Sequence, residues 1–478
     1  MTAVRAAVDA SVRTPVLMFF GSAIGWLLLS SALGVLATLK LNLPSLLTTV
    51  PWLTFGRVHP AATSSFVYGW AATAGIGASL WLMARLCRTP LRGGGVLVFA
   101  WGLWNLGVTL GVFGVLYGQG TSFTGLEFPR YAALLIFTAF VFIALWMGLA
   151  FRQRAAGPVF IAQWYLLAAF LFFPWMYATA NLLLFFMPIQ APAQSVVAAW
   201  YAHGMVSLWL IPMALAIAYY IVPKVVGRPL AHYGLAKFGF WTWLLFSGWS
   251  GAYDLIGGPA PAWLLSLAVV ASALTLLPLY AIGSNFSGTL SGHVRGLRHS
   301  PSLRFVTVGV WCFLAAGIAS ALTGFRSVNA VVHFTLLGGA VHELVMYGFV
   351  SLAFFGAIYY IVARLFNTEW ESPGLIRLHF WFSVTGFGLA VLALALGGII
   401  QGLGLDDPKV PILALLSFVK PFLFVQFVAT LITTAAHAFF AASFALIHAR
   451  VGEPSTRRPL AVISNSLAAA RATPVSAP

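Results

Sequence analysis

Apolar residues run through this sequence in long blocks, and polar residues are confined to the breaks between them. A helix needs about 20 mostly apolar residues to cross a hydrocarbon core. Twelve blocks meet that length: 15–39, 61–86, 94–118, 131–151, 158–187, 196–222, 235–256, 262–283, 303–324, 332–364, 375–402 and 411–448. The breaks carry Gly, Pro and charge, as in RTPLRGGG (88–95) and HSPSLR (299–304), residue types that end helices. No linker is long enough to separate domains, so residues 1–450 read as one twelve-helix membrane domain. Residues 451–478 are polar and rich in small side chains, and the reading there is a cytoplasmic, disordered tail.

Composition agrees with that pattern. Of 478 residues, 61% are hydrophobic and 7% are charged, whereas a soluble domain carries about 25% charge. Such a chain cannot cover its own surface with charge, which excludes a soluble enzyme. The two cysteines, Cys87 and Cys312, are too few for a disulfide framework or a thiolate cluster. Both read as packing residues.

Charge then sets orientation. With the N-terminus cytoplasmic, the cytoplasmic breaks hold 19 of the 25 Lys and Arg residues. The outer breaks hold Lys40, Arg57, Arg130, Arg326 and Lys409, and Lys420 lies within the last block. This bias is the signature of an inner-membrane protein with both termini inside. It accounts for the net charge of +16 without any nucleic-acid partner. The partner implied is the lipid bilayer.

The chain also repeats. Block 6 ends YYIVPK (219–224), block 10 ends YYIVAR (359–364) and block 2 ends LWLMAR (80–85). Arg85, Lys224 and Arg364 are 139 and 140 residues apart. Three units of four helices in one orientation would produce that spacing.

Ionisable groups at membrane depth are costly and mark candidate function. His203 lies in the first third of block 6, and Tyr253 and Asp254 lie near the outer end of block 7. His333, His342 and Glu343 lie in the outer third of block 10, and His59 lies just before block 2. Topology places all of them toward the outer face. Imidazole and carboxylate at one depth suit a first-row metal or a proton relay. Lys420, beside Pro421 in the last block, is expected to find a carbonyl or carboxylate partner. His232, His293, His299, His379, His437 and His448 read as solvated or packing residues near helix ends.

These residues resemble a family. The stretch AWYAHGMVSLWLIPMALAIAYYIVPKVVGRP (199–229), with GAIYYIVARLF (356–366), resembles subunit I of the haem-copper oxidase superfamily. The closest branch is the C-type, or cbb(3)-type, cytochrome c oxidase, near the nitric oxide reductases. The resemblance implies an all-α fold of twelve transmembrane helices in three arcs of four. It implies electron transfer from cytochrome c to oxygen or nitric oxide, with haem b, a non-haem metal and membrane-anchored cytochrome c subunits. The family holds two haems and a copper on six histidines. His203 falls on the first copper ligand. Tyr253 and Asp254 fall on the other two, and Ser247 on the redox tyrosine. Ala62 falls on the second-span haem ligand, with His59 three residues ahead of it. Val341 and Glu343 fall on the tenth-span pair, with His342 between them.

The resemblance and the residues together leave three readings. The chain is a redox subunit in which His59 and His342 ligate a displaced haem. Alternatively it is a haem-free structural or assembly paralogue, or a proton or ion pathway protein using Asp254, Glu343 and Lys420. His203, Asp254, Glu343 and Tyr253 are the candidate ligands for a harder metal such as iron, manganese or zinc.

Overall fold

The computed structural model describes residues 2–293 and 296–449. The expected tail at 451–478 lies outside the described residues. Every regular element among the described residues is helical. The first half of the chain forms α1 (Thr2–Asn42), α2 (Phe55–Cys87), α3 (Gly94–Leu116), α4 (Arg130–Arg152), α5 (Ile161–Phe186) and α6 (Pro192–Val226). The second half forms α7 (Tyr233–Ser250), α8 (Ala262–Leu290), α9 (Pro301–Thr323), α10 (Leu336–Phe366), α11 (Pro373–Asp406) and α12 (Ile412–Ala449). Eleven of these are long and apolar enough to cross a membrane. The twelfth, α7, has 18 residues and continues as a 3-10 turn over Gly251–Leu255.

Contacts between neighbours arrange the helices in three arcs of four: α11–α12–α1–α2, α3–α4–α5–α6 and α7–α8–α9–α10. Burial separates an inner ring from an outer wall. In the most apolar stretch, 94% of α2 and α10 and 89% of α6 is buried, against 17–50% in the other eight candidate spans. The three inner helices touch one another. Helices around them present Leu, Phe and Trp outward, as lipid requires.

The repeat seen in sequence is repeated in backbone. Each inner helix contains a π-helical segment, at Ser65–Ala72, Met205–Leu210 and Leu344–Ser351. Their starts are 140 and 139 residues apart. Each inner helix also ends on a left-handed residue: Arg88 (φ 56°), Gly227 (φ 76°) and Asn367 (φ 53°). These ends form the basic face of the molecule, with Arg85, Lys224 and Arg364 in the last turns. The site residues lie toward the far face.

Candidate functional site

A π segment replaces i→i−4 hydrogen bonds by i→i−5 ones, and such segments cluster at functional sites. Here side chains tie off the carbonyls thus displaced. Thr73 Oγ1 donates to the Tyr68 carbonyl at 3.0 Å, and Ser351 Oγ donates to that of Met346 at 3.0 Å. The residues singled out in sequence come just before these segments: His59 and Ala62 in α2, His203 in α6, and Val341, His342 and Glu343 in α10.

His203 is engaged by protein. Its Nε2 shares a 2.9 Å hydrogen bond with Ser250 Oγ, and the Ser247 carbonyl lies beside its ring. The end of α7 presses on it so closely that a Cβ on Gly251 would collide with the imidazole. Tyr253 faces away, its hydroxyl 3.1 Å from Ser320 Oγ on α9. Asp254 is exposed and Glu343 is half-buried, one turn ahead of Tyr347. Ser247, at the redox-tyrosine position, donates to the Trp243 carbonyl at 2.5 Å. Among the described residues, no three His, Cys, Asp or Glu side chains gather closely enough to hold a metal ion.

His59 lies inside α2 rather than before it, because the helix begins at Phe55. It and His342 are both exposed, although α10 is buried over most of its length. The two imidazoles come within electrostatic reach of each other across α2 and α10. Deeper in, the seam closes. Trp70 Nε1 donates to Ser351 Oγ at 2.9 Å, and the Trp70 and Phe355 rings are 4.8 Å apart.

A haem iron needs an axial imidazole or a comparable donor. Ala62 and Val341 supply none, and a copper held by three imidazoles cannot form at His203, Tyr253 and Asp254. In the register that the resemblance implies, these positions do not offer the donors for two haems and a copper.

Two positions need correction. His333 is not in α10 but in the turn before it, where burial holds its imidazolium below the ordinary value against the Asp254 and Ile256 carbonyls. Lys420 stands exposed on α12, with no hydrogen bond or ion pair among the described residues. Of the histidines read as solvated or packing residues, His379 and His437 take the packing role, at 0% and 3% exposure. His437 bonds Ser31 Oγ at 2.6 Å and the Tyr347 hydroxyl at 2.9 Å. His379 Nδ1 meets the Tyr359 hydroxyl at 2.9 Å, while its Nε2 has no hydrogen-bond partner among the described residues.

One residue escaped the sequence reading. Glu127, in the segment between α3 and α4, is buried between Leu126 and Phe128. It accepts from Ser64 Oγ at 2.9 Å and from the Gly125 N–H at 2.8 Å. Tyr68 donates to the Gly125 carbonyl and lies 2.9 Å from the Tyr201 hydroxyl. Burial pushes the Glu127 carboxyl above its ordinary value. The flanking Leu and Phe in an otherwise polar loop were the available signal.

Comparison with known proteins gives a consistent picture. Residues 14–447 match the family model described as cytochrome c and quinol oxidase polypeptide I. The chain is 29% identical over 391 residues to the cbb3-type cytochrome c oxidase subunit CcoN1 of Stutzerimonas stutzeri, covering 79% of this chain and 81% of that one. It is 28% identical over 394 residues to a cytochrome c oxidase subunit 1 homolog of Azorhizobium caulinodans, covering 80% and 71%. A solved structure of a heme-copper terminal oxidase dimer superposes with a TM-score of 0.72 at 16% identity, covering 96% of this chain and 85% of that one. That likeness speaks for the fold.

Proposed function

Because the chain belongs to the cytochrome c and quinol oxidase polypeptide I family of respiratory membrane subunits, we propose that it keeps the subunit I frame without that family's two-haem, one-copper centre. It serves as a structural or assembly subunit beside respiratory proteins. The observation that carries this reading is the donor set: Ala62, Val341, Tyr253 and Asp254 stand where imidazoles are needed, and His203 is bonded to Ser250. Fold alone does not confer the chemistry. The membrane-anchored cytochrome c subunits implied by the family become docking partners rather than electron donors.

The approach of His59 to His342 favours a second reading, in which these two imidazoles hold a single displaced haem. The excess of basic residues on one face supports an inner-membrane location with Thr2 and Ala449 both toward the cytoplasm.

The test is oxygen uptake by the protein purified with its partners from a host lacking other terminal oxidases. Reduced cytochrome c and an artificial donor serve as electron sources. The expected result is no uptake above that of a mock purification. Sustained uptake that His203→Ala abolishes would overturn the proposal.

A further inference from the structure

At the basic face the three inner helices close on one another through equivalent residues. Trp81, Tyr220 and Tyr360, one from each helix, meet edge to face. Their ring centroids are 5.7 Å apart for Trp81–Tyr220, 6.0 Å for Trp81–Tyr360 and 6.2 Å for Tyr220–Tyr360. One turn further along each helix stands a cation: Arg85, Lys224 and Arg364. Arg85 lies over Trp81 at 5.2 Å and Arg364 over Tyr360 at 4.3 Å. Arg5 of α1 joins them, its carbonyl 3.4 Å from Arg85 Nη1. The charges of Arg5, Arg85 and Arg364 all act on the Lys224 ammonium.

Asp9 sets a carboxylate against this group, acting on Arg85 and Arg364. Asp9 forms an ion pair with Arg85 Nε at 3.2 Å and accepts a hydrogen bond from Trp81 Nε1 at 3.1 Å. Lys224 is exposed and makes no hydrogen bond or ion pair among the described residues.

Charge bias explains one basic residue per helix end. It does not explain why cations on the three helices farthest from lipid converge on one axis. Basic residues on the outer wall reach headgroups singly, whereas these repel one another across a shared centre. An anion with several oxygens relieves that repulsion, and guanidinium forks suit it.

We propose that Arg85, Lys224 and Arg364 form a binding site for a phosphate group, supplied either as inorganic phosphate or as the headgroup of an anionic lipid. The aromatic triad is its floor, and the open side faces the cytoplasm in the orientation proposed above. Occupancy ties together the ends of α2, α6 and α10 and stabilises the folded bundle.

The test uses the full chain in neutral detergent, with two probes. Inorganic phosphate is titrated calorimetrically, and dioleoylphosphatidylglycerol retention is compared with dioleoylphosphatidylcholine by native mass spectrometry. Lys224→Gln with Arg364→Gln should weaken binding about tenfold or more, as loss of charge-assisted hydrogen bonds does. Arg152→Gln with Lys237→Gln, on the outer wall of the same face, should leave binding unchanged. Binding of phosphate assigns a free anion, and selective retention of phosphatidylglycerol alone assigns a headgroup; either upholds the proposal. If the double variant does not fold, Lys224→Gln alone, at an exposed position, gives the same reading. The proposal fails if the wild type binds neither probe more tightly than these variants do. It also fails if the outer-wall pair weakens binding as much.

Discussion

Glu127 holds its place in the far face through two hydrogen bonds and close apolar cover. Its carboxyl is raised above the ordinary 4.5 by burial, against the opposing bonds from Gly125 and Ser64. The protonated form is therefore the one that favours folding. Stability from this group is complete below the ordinary value and declines as pH rises through the raised one. Glu127→Gln keeps the shape and an acceptor but removes the titration. Its melting temperature should match the wild type near pH 4 and equal or exceed it near pH 8, measured by differential scanning fluorimetry. A variant that is selectively destabilised near pH 8 would show that the carboxylate stabilises when charged. His203 shows the limit of reading single residues. Its type and depth were legible in the motif AWYAHG (199–204), but its hydrogen bond to Ser250 depends on how α7 packs.

Elements were more legible than contacts. All twelve helices follow from apolar run length, because a bilayer leaves the backbone no alternative to internal hydrogen bonding. Which helices lie inside was not legible from hydropathy, since α2, α6 and α10 are no more apolar than the wall. Their repeated ends were the better signal. Those ends adopt the left-handed conformation that glycine tolerates and other residues enter at about 1–2 kcal/mol. Gly227→Ala should therefore lower stability by about 1 kcal/mol, read as a lower melting temperature, whereas Arg88→Gly and Asn367→Gly should not. Equal losses in all three would contradict the cap assignment. Whether His379 and His437 are solvated or packed was not legible because α11 and α12 are 34 and 38 residues long. Helices of that length run past the bilayer, so distance from a helix end does not report depth. The buried chain from Ser31 through His437 and Tyr347 to Ser383 fixes α1, α12, α10 and α11 at one level, a role that sequence position could not show.

At the scale of the molecule, the three-arc frame of the family is present, and the proposal is that its cofactor region lacks the expected donors. The family resemblance was legible because it rests on the α6 and α10 helix ends. The central claim is that this frame does not hold two haems. Its most direct test is the haem content of the full-length protein made in a haem-sufficient host, from a dithionite-reduced minus oxidised spectrum and a pyridine haemochrome assay, with copper measured on the same sample. The account predicts neither a pair of haems nor stoichiometric copper. One haem per chain, lost in His59→Ala and in His342→Ala, would select the displaced-haem reading. Two haems with copper would contradict the account.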